Sequence, residues 1–209
     1  MNMMDILFAQ QINGGGSPEN PNLHEYDFTQ SLKDIGSLRT DAQLTGGAKQ
    51  DSSGVHLTAA NNRVKLFSES LYNKTLEVKF GTISWTGSTL YDIAAITCNS
   101  SNGTIFPLFW DKRGQWEAYG LTEDGTIDHQ RESGISLNFS TLSNSLLKIE
   151  FNADGCPTYY LNDTVKATIK SVRFKSDEYV DLIIGGAYSP ENYNQFITVT
   201  IESVKIYNN

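Results

Sequence analysis

Apolar and polar residues alternate in short segments from Tyr26 to the C-terminus of the chain. In the segments 76–80 and 197–201, an aliphatic or aromatic residue occupies every second position. A period of two places successive side chains on opposite faces of a β-strand, so these segments predict strands with one buried face. We predict that the following side chains point into the space between two sheets: Leu76, Val78, Phe80, Ile149, Phe151, Val199 and Ile201.

About a dozen such segments follow one another, and turn sequences such as DKRG, TEDG and SPENYN separate several of them. The stretch LLKIEFNADGCPTYYLNDT predicts two strands joined by the tight turn NADG. Helical periodicity is almost absent, and no internal repeat is evident. The sequence therefore predicts an all-β fold, a two-sheet antiparallel jelly-roll sandwich.

The first residues follow a different pattern. A short apolar cluster and two glutamines precede three consecutive glycines, and SPENPNLH follows. Glycine and proline punctuation of this kind indicates a linker. We predict an anchoring peptide over 1–13, a flexible linker over 14–23 and the sandwich over 24–209. The alternative is that the peptide folds back onto its own domain or is disordered. The predicted partner-anchoring residues are Met4, Ile6, Leu7, Phe8 and Ile12.

The charge and composition of the chain limit the classes of partner that it can bind. The 209 residues carry a net charge of −8, and the isoelectric point is about 4.8. An acidic chain is a poor ligand for nucleic acid or for an anionic membrane. The sequence contains no apolar run of membrane-spanning length, and its start does not resemble a secretion signal. We therefore expect neither nucleic acid nor a membrane as a partner.

The two cysteines, Cys98 and Cys156, lie far apart and form neither a CxxC motif nor a zinc pattern. Two buried thiols are expected, with a single disulfide as the alternative. The turn sequences lack the ligand spacing of a calcium loop. The sequence predicts no metal site and no cofactor.

The central segment 106–125 concentrates aromatic residues and planar polar side chains. Carbohydrate sites commonly combine an aromatic ring, on which a pyranose stacks, with polar groups that orient its hydroxyls. The alternative is that these aromatic residues belong to the core of the sandwich. The predicted ligand-binding residues are Trp110, Arg113, Trp116, Tyr119 and Asp124.

Several strand segments resemble a known superfamily when they are taken in order. YDFTQSLKDIGS would be an entry strand, TLEVKFGTIS a core strand, and LIIGGAYSPENYNQFITVTIESVKIYN the closing pair. This order is similar to the concanavalin A-like lectin/glucanase superfamily, particularly its laminin-G-like members. The resemblance implies a lectin-type sandwich over about residues 26–209.

Glycosidases of that superfamily carry an E-x-D-x-x-E type run, which aligns acid and nucleophile on one strand face. The chain has no such run. Its acidic clusters, Glu123–Asp124 and Asp128–Glu132, lie beside glycine-rich turns, and no GxSxG motif accompanies His24, His56 or His129. The sequence therefore predicts a non-enzymatic protein with no catalytic residue.

The start MDILFAQQINGGG resembles the N-termini of virion proteins of tailed bacteriophages. This resemblance implies a head fibre, capsid decoration or tail-tip protein on the virion surface, assembled in the host cytoplasm. Its partners would be other capsid or tail proteins and, through the lectin-like domain, host or environmental glycans. A homo-oligomer, with a trimer as one form, would fit this setting. The alternatives are a glucanase-type enzyme and a ligand-free capsid decoration.

Overall fold

A computed structural model describes residues 22–59, 61–85, 96–100, 103–110, 116–121, 127–132, 143–170, 173–177, 179–185 and 197–209. All regular elements in these ranges are strands, and no helix there could cross a membrane. The strands are β1 (His24–Asp27), β2 (Gln43–Thr45), β3 (Lys49–Asp51), β4 (Gly54–Leu57), β5 (Arg63–Glu69), β6 (Lys74–Trp85), β7 (Ile96–Ser100), β8 (Gly103–Trp110), β9 (Trp116–Leu121), β10 (Ile127–Glu132), β11 (Leu146–Phe151), β12 (Pro157–Leu161), β13 (Thr164–Thr168), β14 (Val180–Gly185) and β15 (Ile197–Asn208).

The strands form two antiparallel sheets. The eight-stranded sheet has the order β13-β12-β11-β6-β15-β4-β3, with β1 also paired to β15. The seven-stranded sheet has the order β10-β9-β8-β7-β14-β5-β2. The predicted all-β antiparallel sandwich is therefore confirmed.

The two 12-residue strands β6 and β15 form the centre of the eight-stranded sheet. They pair along their whole length, from Ile197 opposite Trp85 to Asn208 opposite Lys74, with register shifts near Ile201. The other edge of β15 is shared, because β4 pairs with its first half and β1 with its second half. Strand β15 therefore pairs with three strands, β1, β4 and β6.

The core fills the space between the sheets. All seven side chains that the alternation predicts to point inward are buried. From the opposite sheet, Val64, Leu66 and Leu182 are buried as well. Aromatic and polar contacts also join the sheets. The His24 ring stacks on Phe67 at 4.3 Å between centroids, and the Tyr26 hydroxyl lies 3.3 Å from the carbonyl oxygen of Leu66.

The entry strand is shorter than the sequence suggests. It ends at Asp27, because the Oδ1 atom of this side chain accepts hydrogen bonds from the amide and hydroxyl of Thr29 at 3.1 and 2.6 Å. Such a local bond turns the chain. Beyond it, the buried carboxylate of Asp34 accepts from three backbone amides and lies 2.7 Å from Nδ1 of His24. The contact between His24 and Asp34 and the three amide hydrogen bonds therefore fix the loop that follows β1.

The predicted NADG turn is confirmed between β11 and β12. Asn152 accepts hydrogen bonds from the amides of Asp154 and Cys156, both at 2.9 Å, and Gly155 adopts a φ of 77°. Cys156 is buried, with its Sγ atom 3.5 Å from the carbonyl oxygen of Lys170. The side chain of Cys98 lies outside the described part of the chain, so the state of the two cysteines stays a prediction.

Candidate functional site

The predicted ligand-binding residues fall in the least described part of the molecule. Arg113 and Asp124 lie outside the described residues. The pairing of β8 with β9 places the main chain of Trp110 opposite Trp116 and that of Phe106 opposite Tyr119. The side chains of these aromatic residues are not among those described. Their role in ligand binding stays a prediction.

The predicted anchoring residues lie in the segment 1–21, which is also outside the described residues. The attachment role proposed for Met4, Ile6, Leu7, Phe8 and Ile12 therefore stays a prediction. The same holds for the boundary between peptide and linker at residue 13.

A polar surface covers the outer face of the eight-stranded sheet. Its members alternate along their strands with the buried core residues and are themselves half-buried. The strand registers align Tyr160, Lys148, Glu77 and Lys205 in one row across four strands. We call this surface the tyrosine–glutamate face; its residues are Glu77, Lys148, Glu150, Tyr160, Lys205 and Tyr207.

Both tyrosines on this face are fixed by a glutamate. The Tyr207 hydroxyl donates to Oε1 of Glu77 at 2.9 Å, and the Tyr160 hydroxyl donates to Oε2 of Glu150 at 3.0 Å. Nζ of Lys148 lies 4.2 Å from the centroid of the Tyr160 ring. These contacts orient the rings and the carboxylates together.

Burial raises the pKa of Tyr207 to about 12, and the hydrogen bond to Glu77 and its negative charge add to the effect. The pKa of Tyr160 is raised as well, first by desolvation and then by Glu150. Both phenols therefore remain protonated hydrogen-bond donors at neutral pH. Each carboxylate keeps further lone pairs that can accept a hydrogen bond from a hydroxyl-rich ligand.

The arrangement of Glu77 and Glu150 bears on the enzyme hypothesis. Glu77 on β6 lies opposite Lys148 on β11, and Lys148 precedes Glu150 by two residues. The two glutamates are therefore diagonal neighbours, about 7–8 Å apart between Cα atoms. Each accepts a hydrogen bond from a tyrosine hydroxyl, and neither lies on an E-x-D-x-x-E type run.

A second polar cluster includes His56 on β4. Oδ1 of Asp51 lies 3.0 Å from Nε2 of His56, and Oγ of Ser53 lies 3.1 Å from the same nitrogen. On the other side of the ring, Oγ1 of Thr200 lies 3.3 Å from Nδ1 of His56. The cluster therefore ties the β3–β4 hairpin together and joins it to β15. Within the described residues, no three potential metal ligands converge.

Sequence reasoning overlooked the tyrosine–glutamate face because its members occupy the polar positions of each strand. One relationship could have been found. The NADG turn fixes the β11–β12 register, and that register brings Tyr160 close to Glu150. Contact between Tyr207 and Glu77 requires a pairing across 130 residues, which no local pattern indicates.

Comparison with solved structures identifies other molecules with this architecture. The botulinum neurotoxin serotype D/C VPI 5993 binding domain matches 90% of this chain with a TM-score of 0.65 and 12% identity. Botulinum neurotoxin type C, which depends on interaction with two ganglioside molecules to enter cells, matches 90% with a TM-score of 0.64 and 12% identity. The serotype D ligand-binding domain, solved with N-acetylneuraminic acid, matches 90% with a TM-score of 0.59 and 13% identity.

The similarity establishes a shared fold. The chain spans about half of the neurotoxin domains that it matches, since 48% of each is covered. No family model matches the sequence, and no curated protein matches it either.

Proposed function

We propose that this domain binds glycans without cleaving them, and that the tyrosine–glutamate face is the binding surface. The observation that carries the proposal is the fixing of Tyr160 and Tyr207 by Glu150 and Glu77 on adjacent strands. A pyranose can place its C–H groups against an aromatic ring while its hydroxyls bond to planar carboxylates. Ring, acceptor and cation all occur here on one surface.

The neurotoxin domains support the ligand class. One of them was solved with N-acetylneuraminic acid, and another depends on gangliosides. This chain spans about half of each neurotoxin domain. The comparison does not say whether the sugar site of a neurotoxin lies in the matched half. The proposal of glycan binding therefore rests mainly on the contacts of the tyrosine–glutamate face. The ligands of the neurotoxin domains indicate which glycans to test first.

A glycan array with the full chain tests the proposal. We expect binding to a subset of glycans that weakens when Tyr160 and Tyr207 are replaced by alanine. Tyr179 is the matched control, because it is 66% exposed and lies just before β14, in the opposite sheet. If the folded wild-type chain binds no glycan, the ligand-free decoration alternative is favoured over the proposal.

The setting we propose is the surface of a tailed-bacteriophage virion. The domain would be a concanavalin A-like, laminin-G-like module of a head fibre, capsid decoration or tail-tip protein. It would be assembled in the host cytoplasm as a homo-oligomer, with a trimer as one form. The N-terminal peptide 1–13 would bind a capsid or tail protein, and the linker 14–23 would hold the sandwich away from the particle.

Deletion of residues 1–13 tests this setting. We expect the shortened chain to fold and to keep its glycan binding, but to be lost from particles that the full chain joins. If the deleted chain still joins particles at normal occupancy, the peptide is not the anchor. If it fails to fold, the peptide is part of the sandwich.

A further inference from the structure

The tyrosine–glutamate face continues onto the edge strand β13. The register of β12 and β13 places Val165 directly opposite Tyr160, so the two side chains share the outer face of the sheet. Val165 is 57% exposed, whereas the neighbouring pair, Tyr159 and Ala167, is buried in the core. Lys148 lies opposite Tyr160 on the other neighbouring strand. Tyr160 therefore stands between a cation and an exposed apolar side chain.

Three kinds of chemical group surround the Tyr160 ring. Glu150 accepts the Tyr160 hydroxyl at 3.0 Å, and its carboxylate keeps lone pairs for a further donor. Nζ of Lys148, which lies 4.2 Å from the ring centroid, carries N–H donors. Val165 supplies the apolar group. A single exposed valine is common on a protein surface, but here it accompanies an acceptor and a donor around one ring.

An acetamido group carries the three complementary features in one substituent. Its N–H donates, its carbonyl oxygen accepts and its methyl group is apolar. An ammonium group would be repelled by Lys148, and a carboxylate would be repelled by Glu150. A hydroxyl lacks the methyl group, and the methyl group of a 6-deoxy sugar carries neither donor nor acceptor. The neutral amide is the substituent that uses all three neighbours of Tyr160.

We propose that the tyrosine–glutamate face selects a pyranose with an acetamido substituent, that is, an N-acetylhexosamine. The N–H of the substituent would donate to Glu150, its carbonyl oxygen would accept from Lys148, and its methyl group would contact Val165. The pyranose ring would lie against Tyr160. This choice of sugar rests on the proposed function, because it names the ligand of the same surface.

The test compares the methyl glycosides of N-acetyl-D-glucosamine, D-glucose and D-glucosamine, which differ only at C2 when the anomer is the same. Titration of the ¹⁵N-labelled full chain gives the affinity for each sugar and the amides that shift. We expect the N-acetyl sugar to shift the amides of Lys148, Tyr160 and Val165 and to bind about tenfold more tightly than the other two. Equal binding of glucose would show that the acetamido group is not recognised. Equal or tighter binding of glucosamine would show that the glutamates select a positive charge. Either result would overturn the proposal.

Variants then test the three contacts separately. Val165→Thr keeps the β-branched shape and replaces one methyl group with a hydroxyl. We expect it to weaken binding of the N-acetyl sugar about fourfold, the effect of one buried methyl group, and to leave glucose binding unchanged. Lys148→Met keeps an unbranched side chain without the donor and should weaken binding of the N-acetyl sugar about tenfold.

Leu38→Thr is the matched control for Val165→Thr. Leu38 is 47% exposed and lies in the loop that follows β1, and β1 and β13 are on opposite sides of β15 in the sheet. The control should bind the N-acetyl sugar as the wild type does. Unchanged binding in folded Val165→Thr and Lys148→Met would contradict the assignment of the acetamido contacts.

The proposed function and the choice of sugar fail in different ways. If the double variant Tyr160→Ala/Tyr207→Ala loses binding of glucose and of the N-acetyl sugar to the same extent, and the wild type binds both equally, the face binds glycans without selecting an acetamido group. The choice of sugar is then rejected and the proposed function stands. If the folded double variant binds the N-acetyl sugar as tightly as the wild type does, both are rejected for this face.

Discussion

The hydroxyl of Tyr207 donates a hydrogen bond to Glu77 across β15 and β6, 2.9 Å from Oε1. Replacing Tyr207 with phenylalanine removes this bond and keeps the ring. We expect the free energy of unfolding to fall by about 0.5–1 kcal/mol, because the pair is only half-buried. Urea denaturation measures the loss. Tyr179→Phe, at an exposed position, should stay within about 0.3 kcal/mol of the wild type.

The same relationship predicts a dependence on alkaline pH. Since the pKa of Tyr207 is raised from 10.0 to about 12 in the fold, the folded state favours the protonated phenol. This contribution is fully present below pH 10.0 and is lost as the pH rises to about 12. The difference in unfolding free energy between wild type and Tyr207→Phe isolates this contribution. Urea denaturation from pH 9 to 12 should show that the difference shrinks.

The alternation of apolar residues was sufficient to predict the buried face of the sheet. Leu76, Val78 and Phe80 are buried because a strand with one face in the core must place every second side chain there. The β11–β12 hairpin could also be predicted from the local sequence, because Asn152 and Gly155 are residue types that favour a tight turn. These features depend on residues close together in sequence.

The tyrosine–glutamate face depends on pairings between distant segments. Tyr207 reaches Glu77 only because β15 pairs with β6 in one register, and many registers would bury the same apolar residues. The polar residues of this face look locally like ordinary solvent-facing positions. Composition and spacing therefore point to the aromatic-rich segment 106–125 instead.

Gly155→Ala tests how closely the β11–β12 turn packs on the segment 173–177. The substitution imposes a positive φ on alanine, at a cost of about 1 kcal/mol, and also a clash with Phe174. We expect a total loss of about 2–4 kcal/mol in unfolding free energy. Gly47→Ala is the matched control, since its φ is 90° but its nearest neighbouring atom is 3.7 Å away. Equal losses in the two variants would show that the close approach to Phe174 contributes nothing.

The two glutamates of the tyrosine–glutamate face give the enzyme alternative a direct test. Incubation of the full chain with a panel of polysaccharides should release no reducing ends, because no strand carries the E-x-D-x-x-E type run of the glycosidases. The Glu77→Gln and Glu150→Gln variants should be indistinguishable from wild type in this assay. If the wild type releases reducing ends and either variant does not, the chain hydrolyses polysaccharides and the non-enzymatic assignment is rejected.

The most direct test of glycan binding is a calorimetric titration with the best ligand found on the array. The double variant Tyr160→Ala/Tyr207→Ala is compared with Tyr179→Ala, and circular dichroism establishes that both are folded. We expect the double variant to bind about tenfold more weakly or worse, a loss of about 1.4 kcal/mol or more, and the control to bind as the wild type does. Equal affinity in the double variant and the control would contradict the assignment of the tyrosine–glutamate face.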